Sequence, residues 1–129
     1  MHKLRLILGD QLNINHSWFK ENNSKTTYVL MEVKEETSYV LHHAQKIIAT
    51  FAAMRFFAEQ LQQKGFEVIY FKINDKENEQ SFYQNINKTI KEKNINELQY
   101  QEPDEYRLST ELKKLESIEN IKVESVDTE

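Results

Sequence analysis

The sequence predicts an α/β fold, a Rossmann-like three-layer sandwich with a mostly parallel sheet of about five strands. Three observations lead there. Short runs rich in β-branched and aromatic residues alternate with longer stretches whose apolar residues recur at helical spacing, the pattern of βαβ units. The chain opens on Leu4 to Leu8, an apolar run cut off by Gly9-Asp10, which reads as a buried strand closed by a turn. Among 129 residues there are one Pro and two Gly, so regular elements with short polar connections account for most of the chain.

Each element follows from its own pattern. After the first strand, Asn13 to Lys20 carries Trp18 and Phe19 and gives way to Glu21-Asn-Asn-Ser24. It reads as a short helix or turn covering one edge of the sheet, then a loop. Thr26 to Val33 is the second strand, rich in residues that fit a pleated surface. Thr37 and Ser38 offer an N-cap for the longest element, a helix from Tyr39 to Lys64 stopped by Gly65. Its Val40, Ala44, Ile47, Ile48, Phe51, Ala52, Met54, Ala58 and Leu61 form a broad stripe expected to be buried. Phe56 and Phe57 are adjacent and cannot both face the sheet, so one is expected to stay exposed or to pack on something outside this chain. Phe66 to Ile73 is the third strand. Asn74 to Gln80 is a polar loop and helix start, and Glu77 to Lys93 is a helix with Phe82, Ile86 and Ile90 on one face. Glu97 to Gln101 is the fourth strand, stopped by Pro103. Glu105 to Glu116 is a helix with Leu108, Leu112 and Leu115 inward, and Ile121 to Val126 is the fifth strand.

The totals narrow the function. Lys and Arg number 17 against 21 Asp and Glu, a net charge of −4, which argues against this chain gripping a phosphate backbone by itself. With no cysteine there is no disulfide, thiolate-bound metal or iron–sulfur cluster within it. No run of about 20 apolar residues could span a membrane, and the first residues are too charged for a signal peptide. A cytoplasmic location and no membrane contact are the expectation. The end, Val123 to Glu129, follows a strand-like segment with no closing helix, so residues 1–129 are expected to form one domain of something longer.

In an open α/β sheet, ligands bind past the carboxyl ends of the strands where strand order reverses. That edge would gather Gly9, Asp10 and Gln11 after strand one, Glu32 after strand two, and Glu35, Glu36, Tyr39, His42 and His43 where the long helix begins. Paired carboxylates suit acid–base work or Mg²⁺, and they also accept hydrogen bonds from a polyol or a ring N–H. Glu32 also reads as a solvated strand end or a surface ion pair, since charged residues are common there. His42 and His43 point about 100° apart on a helix and do not chelate one ion well, so no metal site is expected. Gly9-Asp10-Gln11 is neither a dinucleotide fingerprint nor a P-loop, and no nucleophile–base arrangement is visible.

Several stretches resemble one family in order and spacing: Leu6 to Leu12, Met31-Glu32-Val33, Ser38-Tyr39-Val40 with His42-His43, Ala53-Met54-Arg55 with Phe57-Ala58, and Glu102-Pro103 with Glu105-Tyr106-Arg107. Together they look like the amino-terminal domain of the bacterial photolyase-related proteins, the prokaryotic (6-4) photolyases and iron–sulfur cryptochromes. The resemblance implies that the domain binds an antenna chromophore, 6,7-dimethyl-8-ribityllumazine. It implies further that a carboxy-terminal helical domain holds FAD and a 4Fe–4S cluster, and that damaged DNA is met only through that domain. The positions matching the antenna pocket are Gly9, Asp10, Gln11, Glu32, Glu36, Tyr39, His43, Ile47 and Thr50. No catalytic residue is expected in this chain. The alternative reading is a stand-alone small α/β enzyme that processes a nucleotide or phosphoester with Asp10 and Glu32.

Overall fold

The computed structural model describes residues 2–20, 25–33, 44–103, 106–118 and 120–127. It is a five-stranded, wholly parallel sheet in the order β3-β2-β1-β4-β5, made of β1 (Lys3–Leu6), β2 (Thr26–Met31), β3 (Glu67–Phe71), β4 (Glu97–Gln101) and β5 (Lys122–Val126). The helices are α1 (Ala44–Gln63), α2 (Phe82–Lys93) and α3 (Tyr106–Lys113), the last continued by a 3₁₀ turn over Lys114–Ser117. The α/β class and the parallel sheet therefore stand as the sequence predicts.

β1 is central, and its two faces build two cores because alternate side chains point to opposite sides of a strand. Leu4, Leu6 and Leu8 join Val29, Met31, Leu98 and Tyr100 beneath Phe82, Ile86 and Ile90 of α2 and Leu112 of α3. Ile7 joins Tyr28 and Leu30 beneath Met54, Phe57 and Leu61 of α1. The sheet is thus the middle of three layers.

Among the described residues between β1 and β2 there is no α-helix, only a 3₁₀ turn, Ser17–Phe19. It covers the sheet with rings instead. Trp18 is buried, and Phe19 lies 5.2 Å from the Tyr28 ring and 5.7 Å from Phe57. Arg5, in the middle of β1, fills the space under this short cover. Its guanidinium sits 5.1 Å from the Trp18 ring centre and donates to Tyr28 Oη at 2.9 Å and Gln99 Oε1 at 2.8 Å. A cation held over an aromatic face with its N–H groups paired tolerates partial burial.

Two expectations need correction. The second helix begins at Phe82 and not at Glu77. Gln80 takes a left-handed φ of 61°, which breaks a helix, and the Ser81 side chain then caps it by accepting from Gln84 N. Residues 72–80 form a loop tied down by Asn78 and Asn85 instead. On the long helix, Ile48 is 66% exposed and Ala52 is also exposed, so neither belongs to the buried stripe. Of the adjacent phenylalanines, Phe57 is buried and Phe56 is 53% exposed, as the helical geometry requires of neighbours. Residues 39–43, expected to open this helix, lie outside the described residues.

Candidate functional site at the carboxyl edge of the sheet

Strand order reverses between β1 and β4; Gly9, Asp10 and Gln11 stand at that point, while Glu32 at the end of β2 is tied towards β3 and α1. Past the end of β1 the ladder continues, with Ile7 N donating to Val29 O at 3.0 Å. Gln11 N then donates to Leu8 O at 3.0 Å, closing a turn with Gly9 and Asp10 at its tip. Gly9 does not use a glycine's left-handed freedom; among the described glycines only Gly65 has positive φ. Asp10 is exposed at the tip.

Gln11 turns inward and is 3% exposed. Its Oε1 accepts from Leu8 N at 3.2 Å, and its Nε2 donates to Gln101 O at 3.1 Å. The side chain thereby bridges the ends of β1 and β4, in the gap where a switch-point ligand would reach between them.

Glu32 follows β2. Extended past Leu6 and Val29, the β1–β2 register sets Gly9 level with Glu32, so the two strands do bring both carboxylates to one edge. Their surroundings differ completely. Glu32 has no exposed surface and makes four side-chain hydrogen bonds. Arg55 of α1 donates from Nε at 2.6 Å and from Nη2 at 2.8 Å, a two-pronged pair. Tyr70 Oη donates at 2.5 Å and Ile73 N at 3.0 Å. Its main chain is held as well, with Glu32 N donating to Phe71 O and Asn78 Nδ2 donating to Glu32 O at 2.7 Å. Burial alone would raise the Glu32 pKa, but the bonds from Arg55, Tyr70 and Ile73 outweigh it and hold the carboxyl below its usual range. The same contacts act the other way on Tyr70, whose hydroxyl is pushed well above the ordinary tyrosine value by burial and by the adjacent carboxylate.

Of the two carboxylates at this edge, then, Asp10 faces outward and Glu32 is consumed by the fold. The reading of Glu32 as a solvated strand end or surface ion pair gives way to a buried one. A phosphoester-processing site built on Asp10 and Glu32 together would need both carboxylates available, and Glu32 has its lone pairs filled. Among the described residues, no group of three or more His, Asp or Glu is placed to hold a metal. Ile47 and Thr50 lie half-buried in the first half of α1. Glu36, Tyr39 and His43, with Glu35 and His42, lie outside the described residues.

Sequence reasoning missed Arg55, Tyr70 and Gln101. A signal for Arg55 existed: it is a cation in a run of apolar residues, Phe51 to Ala58, where only a partner would justify it. Tyr70 and Gln101 carry no such mark: Tyr70 sits in the continuous apolar run of β3, Val68 to Phe71, and Gln101 ends an ordinary alternating strand.

The family model described as Deoxyribodipyrimidine photo-lyase-related protein matches residues 5–129. A (6-4) photolyase from Agrobacterium fabrum (strain C58 / ATCC 33970) is 40% identical over 113 residues, which is 87% of this chain and 22% of that protein. The chain thus spans about a fifth of the length of the curated relative it matches. Among the described residues no helix is long and apolar enough to cross a membrane. With a family match over nearly its whole length, a parallel sheet in Rossmann-like order and the Gly9-Asp10-Gln11 turn at its switch point, the chain belongs to the deoxyribodipyrimidine photo-lyase-related proteins.

Proposed function

We propose that this chain is the antenna-binding module of a photolyase-related flavoprotein and that its ligand is 6,7-dimethyl-8-ribityllumazine. The observation that carries the reading is the carboxyl edge of β1, where exposed Asp10 stands beside the Gln11-filled switch point in a chain of this family. A bound lumazine would absorb blue or near-UV light and pass excitation to a flavin held elsewhere in the polypeptide. The chain's own part is to bind, orient and keep water away. Asp10 supplies an acceptor for ribityl hydroxyls, and Ile47 and Thr50 offer a half-buried wall on α1 for the ring. Glu36, Tyr39 and His43 complete the proposed set. Glu32 serves the site indirectly: it clamps Arg55, Tyr70 and Ile73 so that β2, α1 and the loop after β3 keep their places.

The partner proposed for the exposed face of α1 is the helical FAD and 4Fe–4S domain, through which damaged DNA would be met. Repair or blue-light signalling, and a cytoplasmic setting, belong to that proposal. The test is a fluorescence titration of the chain with the lumazine. Asp10→Ala is expected to weaken binding by roughly 1–3 kcal/mol, because a ligand hydroxyl would then be buried unpaired. Thr50→Trp is expected to fill the pocket and abolish binding while the chain stays folded by circular dichroism. Equal binding by the wild type and both variants would place the lumazine elsewhere, and no binding by the wild type would sink the reading.

A further inference from the structure

At the switch point one buried polar side chain has no work to do. Gln101 ends β4 and is 1% exposed, and among the described residues neither its Nε2 nor its Oε1 has a hydrogen-bond partner. Its buried neighbours do not share this state. Gln99, two residues earlier, accepts from Arg5 and donates to Glu124, and Gln11 bridges Leu8 and Gln101. Asn78 and Asn85 are bonded through both ends of their amides. An amide enclosed without a partner costs free energy that the fold does not recover, and it calls for a use.

Its position supplies one. Leu98 and Tyr100 point into the core under α2 and α3, so strand alternation turns Gln99 and Gln101 to the opposite face. There Gln101 is level with Ile7, next to the end of β1, and its own carbonyl holds the Gln11 side chain. The two bonds that keep Gln11 there, 3.1 and 3.2 Å, lie at the long end of the range for N–H···O contacts. Displacing the Gln11 side chain breaks these two bonds, and the Gln101 amide, on the strand whose carbonyl holds Gln11, offers a donor and an acceptor in return.

We propose that Gln101 is a ligand-reading residue of the crevice between β1 and β4. Its amide pairs with the adjacent carbonyl and N–H of a heterocycle's imide or lactam edge, which reaches it by displacing the Gln11 side chain. The amide donates to the ring carbonyl and accepts from the ring N–H, so both idle groups are satisfied at once. The inference rests on the lumazine reading and deepens it, since the pyrimidinedione half of a lumazine presents such an edge.

The test uses the whole chain, the lumazine, and its N3-methylated analogue, which lacks the imide N–H. Gln101→Leu removes the amide at similar volume. In the ligand-free chain it is expected to melt at the same or a higher temperature, because an unsatisfied group has gone. It is expected to bind the lumazine about tenfold more weakly or worse. The wild type is expected to disfavour the N3-methyl analogue, and Gln101→Leu to bind the two alike. If Gln101→Leu does not fold, the analogue on the wild type decides alone. Equal affinity of the wild type for lumazine and analogue overturns the role of Gln101 and leaves the antenna reading standing. A wild-type chain that binds no lumazine overturns the antenna reading itself. A ligand-free Gln101→Leu that melts lower shows that the amide is structural and also overturns the inference.

Discussion

A carboxylate with no exposed surface is tolerable only when its oxygens are all engaged, and Glu32 meets that condition from α1, β3 and the loop after it. Removing it would leave Tyr70 Oη and Ile73 N without their acceptor and strip Arg55 of its partner. Glu32→Ala is expected to lower unfolding free energy by roughly 3–5 kcal/mol in urea titrations, far more than a surface charge would. Glu32→Gln keeps the shape but loses the charge, and at neutral pH it is expected to cost less than Glu32→Ala. The pH dependence separates them further. Because the folded carboxyl is held below its ordinary value of 4.5, its contribution is complete above that value and is lost as pH falls through the lower, folded pKa. The gap between wild type and Glu32→Gln is therefore expected to close in acid. A gap that stays constant from pH 7 to pH 3 would mean that the charge contributes nothing. Whether Glu32 was a ligand group or a keystone could not be read from Met31-Glu32-Val33, because the answer lies in residues 23 and 38 positions away.

At the scale of elements, α1 is the least ordinary. Met54, Phe57, Ala58 and Leu61 are buried, while Ile48 is 66% exposed and Ala49, Ala52, Ala53 and Phe56 share its outward side. A helix with apolar residues on both sides has only one of them covered here. Met54→Ala is expected to cost roughly 2–5 kcal/mol, since it empties a fully enclosed site, whereas Ile48→Ala should fall within about 0.5 kcal/mol of wild type. If Ile48→Ala proves as damaging as Met54→Ala in thermal melts, the outward face is not free in solution. The same contrast shows the limit of periodicity. A count of apolar residues at helical spacing finds a broad stripe, but it cannot tell a wide buried face from two faces with different neighbours. At α2 the start is decided by the Ser81 cap, and Ser81→Ala is expected to cost about 1 kcal/mol.

For the whole molecule, the order β3-β2-β1-β4-β5 puts β1 at the centre and leaves β3 and β5 as edges. Both neighbours of β1 bond to it, and Leu4 and Leu6 have no exposed surface. Amide hydrogen exchange is expected to be slowest at Leu4 and Leu6 and faster by orders of magnitude in β3 and β5, which open from the edge. Uniform protection across all five strands would mean that the sheet opens only by global unfolding. The same order places the Gly9-Asp10-Gln11 turn and Gln101 on opposite sides of one gap, although they lie 90 residues apart in the chain.

The sequence by itself determined the fold class, the five strands within a residue or two at most ends, and the edge at which a ligand would be sought. Those depend on local patterns: alternation, helical spacing, and a turn residue after an apolar run. It also carried the family, through short stretches kept in order. Only the tertiary structure decided what each polar residue at that edge does. Asp10 faces out, Gln11 turns in to join two strands, Glu32 disappears into a clamp made by Arg55 and Tyr70, and Gln101 is enclosed with its amide idle. The reason is physical: a polar side chain's role is set by the donors and acceptors that surround it in space, and parallel strands bring those together from parts of the chain that no local window joins.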